Sequence, residues 1–282
     1  MRNSYFKAAT RLFPLLCLIT GLQAAVGARA DDKPDIRALL DKALAGDHRE
    51  AANRARDRYR HPRETLMFFG LKPDMTVAEI WPSRGWYSEI LAPVLRDRGT
   101  YYACGWGPVG PDTPKFYART QRAFEAMLKA NPAVYGNVKL SSCLHPKTDA
   151  PAPAGTADMV LTFRNVHNWM KAGIAADMFD AFYRALKTGG TLGVVEHRAK
   201  PGTSMADMIR TGYVTEQHVI DLAKAAGFKL VGESEINANP GDTKNYPDGV
   251  WTLPPTLRLG DKDRDHYLAI GESDRMTLKF QK

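Results

Sequence analysis

The sequence predicts an α/β protein built on a doubly wound, mostly parallel sheet. Apolar runs of strand length alternate with helical patterns of roughly 10 to 18 residues, the rhythm that parallel strands and crossover helices require. Glycines close most helical patterns, at Gly46, Gly70, Gly99 and Gly189–Gly190. The composition, 44% apolar and 25% charged over 282 residues, is ample for a buried core.

The first thirty residues stand apart. Arg2, Lys7 and Arg11 precede the apolar run "LFPLLCLITGL", and Ala28-Arg29-Ala30 offers a small-x-small end. This is the anatomy of a secretory signal peptide, and the expected product is an exported, periplasmic chain cut after Ala30. The run is too short to span a bilayer, which takes about 20 residues. Leu16 before Cys17 stands where a lipobox carries a small residue, so no lipid anchor is expected.

Residues 31–60 read as a helical N-terminal extension. Asp32 and Pro34 are start signals for "DIRALLDKALAG", and Asp47 can cap the next helix. "HREAANRARDRYRHPRE" reads as an amphipathic helix with a solvated basic face. From residue 61 one domain is expected to run to the end. His61-Pro62 starts the short helix "RETLMFFG". "MTVAEIW", "TYYACGW" and "NVKLSSC" are the first three strands, separated by the helices "WYSEILAPVLRDRG" and "TPKFYARTQRAFEAMLKANP". A proline-rich loop leads to the fourth strand, "ADMVLTFRNV", then to the helix "GIAADMFDAFYRALKTGG" and the fifth strand, "TLGVVEHR". Thr215 can cap "EQHVIDLAKAAGF", before the strands "KLVGESEI" and "RMTLKF".

Charge excludes little but simplifies the reading. The leader holds four Lys or Arg and no acid, which leaves 35 basic against 31 acidic residues. That balance, without interleaved aromatic and basic residues, argues against nucleic acid. His61, His145, His167 and His197 are scattered with no ligand spacing, so no metal site is expected. Two cysteines outside the leader, in an exported chain, invite one disulfide.

Ligands of such sheets bind beyond the carboxyl ends of the strands. The positions to inspect are therefore 81–87, 104–107, 164–169 and 196–198. The ordered set "LKPDMTVAEI", "GWYSEILAP", "ADMVLTFRNVHNWM", "LKTGGTLGVVEHR" and "TEQHVIDLAKAAGFKLV" resembles the class I S-adenosylmethionine-dependent methyltransferases, in particular a group of exported bacterial members. The resemblance covers roughly residues 60–282. It implies a Rossmann-like, seven-stranded, mostly parallel sheet, S-adenosylmethionine as cofactor and a small-molecule acceptor.

Two departures from the family pattern follow. The motif E-x-G-x-G-x-G falls on Glu79-Ile80-Trp81-Pro82-Ser83-Arg84-Gly85, where only Gly85 is a glycine. Trp81 either stacks on the ligand or plugs its site. The acid that ends the family's second strand, holding the ribose hydroxyls, is replaced by Cys104, a poor bidentate acceptor. Cys104 and Cys143 fall near the same ends of neighbouring strands, so a Cys104–Cys143 bridge is expected at the pocket rim.

The resemblance assigns Glu79, Trp81, Ser83, Gly85, Trp86, Cys104 and Asn165 to the cofactor side. "RNVHNW" would line the transferring methyl group, with His167 a base or a substrate contact. Glu196 is a second catalytic candidate, although it or Arg198 serves equally well in a structural ion pair. Glu196 and His197 need not share a site, because neighbours on a strand point to opposite faces. Tyr87, Asn168, Trp169, His197 and Asn237 are substrate-side candidates. The loop holding Asn237, Asn239, Tyr246 and Trp251 reads as a lid or as a mobile segment. The leading reading is a methyltransferase. The alternative is an exported protein of that fold that has lost the cofactor site and binds another ligand or runs another reaction.

Overall fold

The computed structural model describes residues 35–111 and 113–282. The expected leader, its cut after Ala30 and the start signals Asp32 and Pro34 lie outside the described residues. Asp35 caps the first described helix, α1 (Ile36–Ala45), its carboxyl accepting from the Arg37 N–H at 3.0 Å.

The basic stretch behind it does not form the expected amphipathic helix. It breaks into two single turns, α2 (Ala51–Arg54) and α3 (Asp57–Arg60), and Asp47 caps neither. Two of its arginines are buried rather than solvated, Arg49 at 1% and Arg60 at 3% exposure. Distant acids explain this. Arg49 pairs with Asp57 at 2.7 Å and Glu89 at 3.3 Å, and Arg60 pairs with Glu272 at 3.1 Å. A guanidinium is buried only with such partners.

The remaining elements follow the expected rhythm. Proline opens α4 (Pro62–Phe69), and left-handed Gly70 closes it. Then come β1 (Thr76–Ile80), α5 (Ser88–Leu95), β2 (Thr100–Gly105), α6 (Lys115–Ala130), the turn α7 (Pro132–Tyr135) and β3 (Lys139–Ser142). Strand β4 (Ala157–Phe163) ends earlier than its pattern suggests, because Arg164 turns left-handed (φ 61°). Val166 already begins α8 (Val166–Ala172), followed by α9 (Ala175–Ala185). Strand β5 (Leu186–His197) takes in "LKTGG" rather than starting after it, since Leu186 pairs with Ala157. Helix α10 (Met205–Thr211) leads to α11 (Glu216–Ala225), where the Thr215 hydroxyl accepts from the His218 N–H at 3.3 Å. Strand β6 (Lys229–Ser234), α12 (Arg264–Ile270) and β7 (Arg275–Gln281) complete the fold.

The sheet has seven strands in the order β3-β2-β1-β4-β5-β7-β6, with only β7 antiparallel to its neighbours. Successive crossovers diverge between β1 and β4, so a crevice opens beyond their carboxyl ends. Alternating side chains along the strands feed two cores. Met159 and Leu161 pack with Phe69, Ile90, Leu91 and Phe124 on one face. Val160, Leu192 and Val194 pack with Phe179, Phe182 and Val219 on the other. Each fully buried side chain of this size contributes about 1.5–3 kcal/mol, which fixes the strand ends that carry the site. Cys104 and Cys143 are bridged, their Cα atoms 5.6 Å apart. Among the described residues no helix is long and apolar enough to cross a membrane.

Candidate functional site

The crevice holds a cavity of about 280 Å³ lined by Glu79 at the end of β1, by Trp81, Ser83, Trp86 and Tyr87 after it, and by Arg164, Asn165, His167 and Asn168 after β4. Trp106, Tyr117 and Trp251 complete its walls. The β1 loop takes the left-handed backbone that glycine favours at three positions, only one of which is a glycine. Trp81, Ser83 and Gly85 are all left-handed, at φ 49°, 57° and 82°. For Trp81 and Ser83 this costs about 1–2 kcal/mol each, offset by surrounding packing and hydrogen bonds. The Trp81 N–H donates to the Cys104 carbonyl at 2.8 Å, and the Gly85 N–H donates to Pro82 at 2.9 Å. Gly85 shapes the loop from outside the cavity wall. A Cβ there would sit 2.6 Å from the Met127 methyl, on a backbone that disfavours one.

Trp81 fills the corner that glycine would leave open. Its ring is 6% exposed, lies 5.4 Å from Trp106 and 5.7 Å from Tyr117, and meets Trp169 edge-on at 5.8 Å. Its indole N–H donates to the Cys143 carbonyl at 3.3 Å. Trp106 stacks on Tyr117 at 4.9 Å, and its own indole N–H is buried without a partner among the described residues. Glu79 accepts from the Ser88 hydroxyl at 3.1 Å and from the Tyr101 hydroxyl. Burial pushes its carboxyl up to about 7, with those two hydrogen bonds acting against the rise.

The β4 side is polar. The Asn165 amide donates to the Ile80 carbonyl at 2.9 Å and so ties β4 to β1. His167 Nδ1 lies 3.1 Å from Glu196 Oε1, and the His167 backbone N–H donates to the same carboxyl at 3.3 Å. His197 Nδ1 lies 2.6 Å from the Ser273 hydroxyl. Burial holds the His197 imidazole well below its ordinary pKa, with His167 and three arginines adding to the effect. Glu196 and His197 therefore do meet at one site. The strand ends there, and the first turn of α8 brings His167 to both. Ligand atoms of His167, Glu196 and His197 lie within 4.8 Å of one another, a geometry that the scattered sequence positions hid. Two of those three side chains already bond each other, and the arginines beyond them disfavour a cation.

Those arginines were invisible as a site in the sequence. Arg56, Arg60 and Arg275 converge on the Glu272 carboxyl at 2.6, 3.1 and 3.3 Å. Burial opposes that ionisation, but Arg60 and Arg275 hold the carboxyl down at about 2. Arg164 stands in the same electrostatic group and lines both the main cavity and a neighbouring one of about 260 Å³. Arg60 also stacks 4.5 Å above the Trp86 ring.

Several expected site residues lie elsewhere. Trp169 is fully buried against Phe182, because on a helix it sits about 200° from His167 and must face the opposite side. Cys104 is likewise fully buried, its sulfur spent in the disulfide. Asn237 bonds Thr65 and Thr277 away from the cavity, at 3.0 and 2.9 Å. Of the long loop after β6 only Trp251 reaches the main cavity. Asn239 instead holds the Ile270 and Glu272 carbonyls. Arg198 is structural, paired with Asp274 at 2.9 Å and Glu235 at 2.7 Å.

No family model and no curated protein matches the sequence. Solved structures do match the fold. A putative sarcosine dimethylglycine methyltransferase from Galdieria sulphuraria superposes with a TM-score of 0.54 at 12% identity, over 83% of this chain and 88% of its own. The fold is that of the class I methyltransferases. The [4+2]-cyclase SpnF gives 0.53 at 16% identity, over 88% and 93% of the two chains. A putative methyltransferase in complex with the Haloferax volcanii Trm112 activator gives 0.51 at 13%, over 89% and 99%. A cyclase among these neighbours shows that the fold does not fix the reaction.

Proposed function

We propose that this chain is an S-adenosylmethionine-dependent methyltransferase acting on a small acceptor. The observation that carries this is the β1 loop, whose three motif positions keep the left-handed backbone of a cofactor-binding glycine loop. The residues fit the cofactor in part. Trp106 and Tyr117 offer an aromatic wall for a purine, and the unpartnered Trp106 N–H suits a ring nitrogen acceptor. Glu79 and Ser83 border the same space. No acid stands where the ribose hydroxyls would be held. When bound, the cofactor supplies an electrophilic methyl group, so positioning and exclusion of water do most of the protein's work. Glu196 fixes the ring of His167, which can take a proton from the acceptor. Tyr87, stacked on Phe163 at 3.5 Å, and Trp251 form apolar walls beside it. The leader pattern and the Cys104–Cys143 bridge support export to an oxidising compartment.

A second reading has one observation behind it, the burial of Trp81 in the glycine corner. In that reading the corner is closed and the β4 side serves another ligand or reaction. Calorimetric titration of the oxidised chain with S-adenosylmethionine and S-adenosylhomocysteine separates the two. Saturable micromolar binding of both supports methyl transfer. Absence of binding to millimolar concentration, in folded protein, contradicts it.

A further inference from the structure

We propose that the cavity of about 260 Å³ next to the main one, lined by Arg164 and Arg60, is an oxyanion site that recognises a carboxylate or phosphate on the acceptor. The word acceptor rests on the methyl-transfer reading; the oxyanion site does not.

Four guanidinium groups, those of Arg56, Arg60, Arg164 and Arg275, gather around one carboxyl, Glu272. Three of them reach that carboxyl, leaving it saturated. Arg164 makes no side-chain hydrogen bond and no ion pair among the described residues, yet its side chain lines both cavities. The Nη1 of Arg60, a side chain only 3% exposed that lines the second cavity, is buried with no partner. Donors in such a place are costly to leave unsatisfied, and a bound oxyanion would accept from both. The other carboxyl nearby, Glu196, is engaged by His167 and by the His197 backbone N–H. The Arg164 backbone is itself fixed, its left-handed φ held by an N–H donated to the Val195 carbonyl at 2.7 Å. Arg164 and Trp251 also border the main cavity, which Tyr87 and Phe163 line, so the oxyanion is expected at one end of an apolar body.

The site chemistry also decides against a metal ion at His167, Glu196 and His197. The surplus of guanidinium charge that favours an anion penalises a cation.

The test uses the full oxidised chain at constant ionic strength, by calorimetry and thermal unfolding. Sodium benzoate, its neutral isostere benzamide and potassium phosphate are the probes. Benzoate or phosphate is expected to bind saturably and raise the melting temperature, with benzamide at least tenfold weaker than benzoate. Arg164→Gln should weaken oxyanion binding by about tenfold to a hundredfold. Arg164→Lys keeps the charge but loses the planar fork, and should fall between. Without ligand, Arg164→Gln should melt at the native temperature or above it, because an unpaired like charge has gone. A merely structural Arg164 would instead lower it. Absence of binding by both oxyanions, equal affinity for benzoate and benzamide, or native affinity in Arg164→Gln each overturns the site.

S-adenosylmethionine separates the two sources of a carboxylate. If it displaces benzoate, the site serves the cofactor's own carboxylate, and the assignment to the acceptor is overturned. Simultaneous binding supports the assignment. Benzoate binding through Arg164 in a chain that ignores S-adenosylmethionine supports the oxyanion site and removes methyl transfer. Binding of S-adenosylmethionine without either oxyanion overturns the present inference alone.

Discussion

The two walls of the cavity solve opposite problems. After β1 and β2, rings fill space: Trp81, Trp106 and Tyr117 pack together beside a disulfide. After β4 and before β7, space is left and charge is concentrated, with Arg164 unpaired among the described residues beside three arginines that share Glu272. The first wall gains from ring packing, the second from ion pairing. Each also holds buried donors without a partner among the described residues, the Trp106 and Trp169 indole N–H groups on the first and Arg60 Nη1 on the second, and only the second adds guanidinium charge around a single carboxyl. The contrast teaches that neighbouring strand ends of one fold can be built on different physics, ring packing at one and paired charge at the other.

The largest expected effect breaks the charged wall. Glu272→Gln leaves two buried guanidinium groups, Arg60 and Arg275, and the half-buried Arg56 without their carboxylate and should cost about 3–5 kcal/mol, read from denaturant unfolding at neutral pH. The native carboxyl is held at about 2, so its contribution is complete above the unfolded pKa of about 4.5. It is lost as pH falls from there towards 2, and the native and mutant stabilities should converge in that window. A constant gap down to pH 2 would show that the arginines do not depend on this charge.

On the aromatic wall, the disulfide closes a loop with a sequence separation of 39. The double variant Cys104→Ala/Cys143→Ala should lose about 2–4 kcal/mol, while the charged wall keeps its response to oxyanions. Loss of that response would mean that the two walls are not independent.

Glu79, between the walls, has the opposite pH sign from Glu272. Its folded pKa of about 7 lies above the unfolded value, so the folded state binds the extra proton. Stability should therefore fall as pH rises from about 4.5 to 7, by about 3 kcal/mol in total. Glu79→Gln should flatten that slope, as thermal unfolding across pH 4–8 would reveal. An unchanged slope would assign it to another group.

The sheet was legible because its signals are local: apolar runs, glycine stops and the Thr215 cap each act within a few residues. The disulfide was legible once neighbouring strands were assumed. The charged wall was not, because Arg60 and Glu272 are 212 positions apart and neither has a periodic signature. His167 was found at the end of β4, but Trp169 was misplaced because the helix begins at Val166 and turns it inward. The β1 loop was harder to read, because Trp81 and Ser83 take left-handed angles that their residue types do not announce.

If the β1 loop holds the proposed cofactor, Trp81 is its wall rather than its plug. Calorimetric titration of S-adenosylmethionine into the native chain and into folded Trp81→Gly distinguishes the two. Micromolar binding to the native chain is expected, with loss of the ring weakening it or changing it by less than about tenfold. Binding that is absent from the native chain and appears in Trp81→Gly would contradict it.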